Sequence, residues 1–138
     1  MTADSKVNIL VVDDLPEKRL VMESILAELD ENVILARSGE EALLQVLRHD
    51  FAVILLDVNM PSLDGYETAA LIRKRRRSAH TPIIFITGYA DELHKAQGYS
   101  LGAVDYVLSP VNPDMLRTKV RVFVELFRMA EQAKRHAD

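Results

Sequence analysis

The 138-residue chain has no cysteine at all. Disulfides and thiolate metal centres are therefore excluded, and the composition suits a reducing compartment. No apolar stretch approaches the roughly 20 residues of a membrane span. The start, Met1 to Lys6, lacks the apolar core of a signal peptide. No Gly-rich loop follows the first strand-like segment, which argues against a nucleotide-binding doubly wound enzyme. The four histidines, His49, His80, His94 and His136, are scattered and adjoin no cluster of ligand-type residues. With a net charge of -4, the chain gives no electrostatic reason to bind nucleic acid or an anionic membrane. There are no internal repeats, low-complexity tracts or Gly/Ser linkers. Hydrophobic residues at 49% and charged residues at 28% describe an ordinary soluble globular domain, expected to be single and cytoplasmic.

Strand-like and helix-like segments alternate five times. Val7 to Val12 is β-branched and apolar and stops at Asp13-Asp14. Pro16 suits a first helical position, and Leu20, Val21, Met22, Ile25, Leu26 and Leu29 recur at helical spacing. Val33 to Ala36 reads as a second strand, and Ser38-Gly39-Glu40-Glu41 as a capping box opening the second helix. Ala52 to Leu56 is a continuous apolar run, as a strand buried on both faces of a parallel sheet requires. Asp64-Gly65 opens a third helix ending near Arg77; Pro82 to Thr87 is a fourth strand. Asp91 to Ser100 is a weaker helix stopped by Gly102, and Tyr106 to Leu108 is a short fifth strand. Asn112-Pro113-Asp114 starts a last helix that nothing breaks before about Arg135. Five βα units imply an α/β fold with a five-stranded parallel sheet and helices on both faces.

Chemistry concentrates at the carboxyl ends of the strands, where open α/β sheets bind ligands. Asp13 and Asp14 follow the first strand, Asp57 the third, and Thr87 ends the fourth. Taken alone, Asp57 reads equally well as a helix or turn cap. If the first and third strands are neighbours, three carboxylates converge, and such a cluster raises its own pKa values or demands a cation. Oxygen-only donors favour a hard ion such as Mg²⁺. Mg²⁺ beside a carboxylate and a hydroxyl suits phosphoryl transfer.

Several segments together, in order and spacing, resemble the receiver domain of two-component response regulators. They are Val11-Val12-Asp13-Asp14, Leu55-Leu56-Asp57-Val58-Asn59-Met60-Pro61, Asp64-Gly65, Ile86-Thr87-Gly88 and Gly102-Ala103-Val104-Asp105-Tyr106. The resemblance implies a (βα)5 flavodoxin-like fold, with residues 1–6 as a tail, 7–128 as the receiver and 129–138 as an extension of the last helix. It implies that Asp57 accepts a phosphoryl group from a phosphohistidine of a histidine kinase or phosphotransfer domain. Asp14, Asp57 and the Asn59 backbone carbonyl are implied as Mg²⁺ ligands, with Asp13 acting mainly through water. Thr87 is implied to donate its hydroxyl to the phosphoryl oxygens and Tyr106 to be the aromatic switch; read alone, Tyr106 is a half-buried strand aromatic. Asn59 and Tyr89 are expected to modulate the lifetime of the phosphoryl group through water access. Turnover as an enzyme is not expected beyond slow self-dephosphorylation. A phosphate-ester hydrolase would need a general acid and a substrate cap, and neither is visible.

The chain departs from the family at one place. Ser109-Pro110 stands where a lysine precedes the proline, so one point charge expected beside an acyl phosphate is missing. Either Mg²⁺ and Thr87 suffice for phosphorylation, or the domain is a degenerate receiver acting as a dimerisation or docking module. Lys95, on the fourth helix, is a second lysine whose reach could bring a charge there, and nothing in the sequence places it. The Ser109-Pro110 bond is cis in many relatives and trans by base rate, and the sequence leaves both open. The last helix carries two apolar stripes, Leu116, Val120, Phe123, Phe127 and Ala130, and Met115, Val122, Leu126, Met129 and Ala133. One should cover the sheet; the other implies a dimer mate or a neighbouring domain of a longer protein. The basic run Arg73 to Arg77 reads as a solvated helix end complementing the dipole, not as a nucleic-acid patch.

Overall fold

The computed structural model describes residues 5–88, 92–103 and 105–137. Ten main elements alternate along the chain: β1 (Asn8–Val12), α1 (Pro16–Leu26), β2 (Asn32–Ala36), α2 (Gly39–Arg48), β3 (Val53–Asp57), α3 (Gly65–Arg73), β4 (Ile83–Thr87), α4 (Glu92–Ser100), β5 (Asp105–Leu108) and α5 (Pro113–His136). The strands form one parallel sheet in the order β2-β1-β3-β4-β5. The chain winds one way from β1 to β2 and the other way from β3 onward. A crevice therefore opens at the carboxyl ends of β1 and β3.

β3 and β4 are buried at every position, as their continuous apolar sequences require. Each strand sends alternate residues to opposite faces, and two cores result. On one face Ile9, Val11, Leu55 and Ile84 meet Met22 and Leu26 of α1 and Leu116, Val120 and Val124 of α5. On the other, Leu10, Val12, Ile54, Leu56 and Phe85 meet Ala42 and Val46 of α2 and Tyr66, Ala69 and Ile72 of α3.

The helix starts follow local chemistry. Asp64 and Glu67 form a full capping box on α3, and the Asn112 side chain accepts the Met115 N–H at the start of α5. At α2 the Ser38 hydroxyl accepts the Glu41 N–H as expected, but the Glu41 carboxylate reaches past Ser38 to the Arg37 N–H. An ion pair with the Arg37 guanidinium draws it there. Among the described residues no helix is long and apolar enough to cross a membrane.

Two expectations need correcting in the basic run. α3 ends at Arg73, not near Arg77, and a short 3₁₀ turn covers Arg76–Ser78. The Ser78 hydroxyl donates to the Ile72 carbonyl at 2.6 Å and closes the helix early. Nor is the run a simple solvated face. The Arg73 guanidinium donates to the carbonyls of Leu101, Ser78, Thr81 and Gly102, tying the end of α3 to the turn after α4. Arg77 pairs with Asp50 at 2.6 Å and also donates to the Leu47 carbonyl.

α5 runs 24 residues, about 36 Å at the usual rise. Leu116, Val120 and Val124 are its fully covered residues, with Phe123 and Phe127 half-buried against the same core. Val124 belongs to neither expected stripe, whereas Ala130 of the first stripe is exposed. Met115, Val122, Leu126 and Met129 of the second stripe face outward. Arg117 bridges to Glu28 and the Ile25 carbonyl, and Arg128 grips both carboxylate oxygens of Glu31 at 2.8 Å, fixing α5 along α1 and the start of β2.

Candidate functional site

Asp57 is the last residue of β3, one position further into the strand than its sequence suggests. Its backbone still pairs with Ile86, and the next N–H, that of Val58, donates to the Ile86 carbonyl. The side chain is almost fully covered, at 6% exposure. The following loop is held tight by the Gly65 N–H bonding to the Val58 carbonyl at 2.9 Å. A Cβ on Gly65 would lie 2.4 Å from the Asp57 carbonyl oxygen and 2.7 Å from Val58 Cα. Only glycine permits that approach.

Asp13 and Asp14 arrive from β1. The Asp13 N–H is bonded to the Ala36 carbonyl, its carboxylate accepts the Leu15 N–H at 3.0 Å, and its carbonyl accepts the Arg19 guanidinium at 2.7 Å. Asp13 is thereby clamped between β2 and the start of α1. Carboxylate oxygens of Asp13, Asp14 and Asp57 all lie within 4.8 Å of one another.

Such a cluster works against its own ionisation. Burial, then the charge of Asp13, pushes the Asp57 carboxyl up to about 6, with the Asn59 N–H and Lys18 pulling the other way and Asp14 adding to the rise. Burial likewise raises Asp13. The Asn59 N–H reaches an Asp57 oxygen at 3.4 Å, a long contact that offsets little of this. An oxygen-only donor set that is crowded, largely buried and negative fits a hard divalent cation such as Mg²⁺.

Asp13 and Asp57 of the cluster line a cleft of about 320 Å³. Its lining includes Asp13, Asp57, Asn59, Gly88 and Ser109 together with Glu17, Lys18, Val21, Pro110 and Val111. The Ser109 N–H donates to the Thr87 carbonyl at 2.9 Å, and the Ser109-Pro110 bond is cis. Thr87, ending β4, is buried. Tyr106 lies on β5 opposite Phe85, on the α3–α4 side of the sheet. Its hydroxyl is 2.9 Å from that of Tyr66, and its ring packs against Phe85 and Tyr99.

Asp13, Asp14, Asp57, Asn59 and Ser109 thus come together at one crevice, with Thr87 joined to it through Ser109. Tyr106 stands apart, on the opposite face of the sheet from α5. Tyr89 lies outside the described residues. Lys18 and Tyr66 were not anticipated. A lysine four positions after Asp14 on a first helical turn was the available signal for Lys18. Among the described residues of the lining Lys18 is the cation, and Lys95 is not one of them.

A family model described as the response regulator receiver domain matches residues 9–121. A protein named "Probable cyclic di-GMP phosphodiesterase" from Vibrio cholerae is 36% identical over 121 residues, covering 88% of this chain and 27% of its own length. "Probable transcriptional regulator ycf27" of Cyanidium caldarium is 40% identical over 114 residues, covering 83% of this chain and 45% of its own. The chain spans less than half the length of either relative. Among solved structures, the chemotaxis protein CheY4 of Vibrio cholerae superposes with a TM-score of 0.82 at 29% identity, over 86% of this chain and 99% of that one. The receiver domain of the sensor histidine kinase PA1611 of Pseudomonas aeruginosa, solved with magnesium coordinated in its active-site cleft, gives 0.80 at 28% identity, over 88% and 99%.

Proposed function

Since the chain belongs to the response regulator receiver family, we propose that it relays a signal by taking a phosphoryl group onto Asp57 from a phosphohistidine of a sensor kinase or phosphotransfer domain. The observation that carries this is the buried Asp57 carboxylate, packed within 4.8 Å of two others at the sheet's switch point. Held up at about 6, Asp57 is still mostly ionised at neutral pH and available as a nucleophile. The bond from phosphorus to the donor nitrogen breaks as an Asp57 oxygen bonds to phosphorus, and the electron pair leaves with the imidazole. Asp14, Asp57 and the Asn59 backbone carbonyl would hold Mg²⁺, with Asp13 acting through water. Bound there, the ion supplies charge neutralisation for the crowded oxygens.

Thr87 donates its hydroxyl to the phosphoryl oxygens, and Tyr106 is the aromatic whose position follows. Asn59 and Tyr89 govern water access to the acyl phosphate. The domain is a phosphoacceptor, not a turnover enzyme, and works in the cytoplasm. Leu15, which caps α1, and Leu20 and Val21 on it are exposed, and Val21 also lines the cleft, which gives an incoming donor domain an apolar surface.

A phosphorylation-independent role in self-association has its own support. Val122, Leu126 and Met129 keep an apolar stripe exposed along α5. The receiver unit spans 7–128, with 129–138 prolonging α5 toward a second copy or a neighbouring domain. Incubation with Mg²⁺ and acetyl phosphate, followed by intact mass measurement, tests the main reading. A phosphate-sized gain that is absent in Asp57→Asn supports it, and no gain at any Mg²⁺ concentration defeats it.

A further inference from the structure

We propose that Lys18, on the first turn of α1, supplies the counter-charge to the phosphoryl group that arrives on Asp57. The inference rests on Asp57 being the acceptor, and it names a residue outside the carboxylate cluster as a partner of the transferred group.

The cleft that holds Asp57 is lined by Asp13, Glu17, Asn59 and Ser109 as well as Lys18, so its ionisable lining is acidic apart from one ammonium among the described residues. A phosphoryl group on Asp57 adds further negative charge beside a cluster of three carboxylates. Ser109, where β5 leaves the sheet, can donate a hydrogen bond but brings no charge. Arg19, the next cation along α1, is committed to the Asp13 carbonyl.

The placement of Lys18 is not loose. Asp13 fixes the start of α1 twice, by accepting the Leu15 N–H on its carboxylate and the Arg19 guanidinium on its carbonyl. Pro16 sets the first turn, and the Arg19 N–H closes it on the Leu15 carbonyl. This turn places Lys18 in the lining of the cleft, where its four-carbon stem can bring a compact charge to a group on Asp57.

With acetyl phosphate as donor, the bond from phosphorus to the acetyl oxygen breaks as an Asp57 carboxylate oxygen bonds to phosphorus. Acetate leaves with the electron pair, and no proton has to move on the chain. Lys18 meets phosphoryl oxygens whose charge increases the attraction as the group docks, so its effect falls on transfer and retention.

The test compares wild type, Lys18→Gln and Lys18→Arg in Mg²⁺ and acetyl phosphate, read by intact mass, with Mg²⁺ binding measured by calorimetry. Lys18→Gln is expected to slow phosphorylation about threefold to tenfold, in line with loss of one partly exposed charge contact, and Lys18→Arg to recover most of it. Mg²⁺ should bind Lys18→Gln more tightly, since a like charge has been removed. A merely structural defect would weaken both. Equal rates in wild type and Lys18→Gln overturn the proposal while leaving Asp57 as acceptor. Slowing with weaker Mg²⁺ binding, or without rescue by arginine, also overturns it. A wild type that gains no phosphate defeats the acceptor reading itself.

Discussion

The hydroxyls of Tyr66 on α3 and Tyr106 on β5 lie 2.9 Å apart, forty positions apart in sequence. Tyr66 packs on Phe85 at 4.8 Å between ring centres, and Tyr106 on the same ring at 5.5 Å. Tyr106 therefore already points inward, and Gly98 on α4 makes the room. A Cβ there would lie 2.0 Å from the Tyr106 hydroxyl oxygen. Alanine favours a helix over glycine by about 1 kcal/mol, so Gly98→Ala should stabilise unless the tyrosine blocks it. The expected result in urea unfolding is a loss of about 1–3 kcal/mol in the Tyr106 background, turning neutral or favourable in Tyr106→Ala. Additive effects of the two substitutions would contradict the contact.

The carboxylate cluster makes folding pH-dependent in a stated direction. The Asp57 carboxyl in the folded chain sits at about 6, above its ordinary 3.8. Protons are then bound more readily folded than unfolded, so this group's contribution is fully present below about 4 and is lost as pH rises through 6. Asp13 and Asp14 oppose ionisation alongside burial, and Lys18 favours it. In the presence of a chelator, Asp57→Asn should be more stable than wild type at pH 7 by about 1–3 kcal/mol, the advantage vanishing near pH 4. Denaturant titrations at pH 4 and pH 7 check both the sign and the window.

Mg²⁺ should reverse that penalty. At a hundred times its dissociation constant a ligand specific to the folded state adds about 2.7 kcal/mol. Wild type is expected to gain melting temperature with Mg²⁺, and Asp57→Asn and Asp14→Asn to gain less. Equal gains in all three would place the ion elsewhere.

Arg73 is a structural staple whose four carbonyl partners come from two stretches of chain, 78–81 and 101–102. Lysine cannot reproduce that planar fork, so Arg73→Lys should cost about 1–3 kcal/mol in urea unfolding. A change within error would mean that the helix-end run is interchangeable surface.

On α5, Leu126→Glu should leave folding intact, because Leu126 is exposed, while reducing any self-association seen by light scattering at high concentration. A wild type that stays monomeric at every concentration counts against α5 as a dimer surface.

Most of this architecture was legible in the sequence because buried parallel strands leave a strong local mark. The apolar runs before Asp57 and ending in Thr87 announce β3 and β4, and Asn112-Pro113 announces α5. The carboxylate site followed, since strand ends in a parallel sheet share one edge. What stayed hidden depends on distant packing. Asp57 belongs to the strand because pairing is a backbone matter, indifferent to its charge. Lys18 reads locally as any exposed helix lysine; its place at the cleft is set by how α1 docks on the sheet. Arg73 looks like one cation among five until α4 brings carbonyls to it. Tyr66 reads as an ordinary helix-opening residue until β5 places Tyr106 against it.

The central claim is an acyl phosphate on Asp57. Borohydride reduces an acyl phosphate of aspartate to homoserine, so reduction after treatment with acetyl phosphate and Mg²⁺, followed by peptide mass mapping, locates the bond directly. The predicted result is homoserine at position 57, dependent on both donor and Mg²⁺. Homoserine at Asp13 or Asp14 instead, or none at any position in protein shown to be folded, would contradict it.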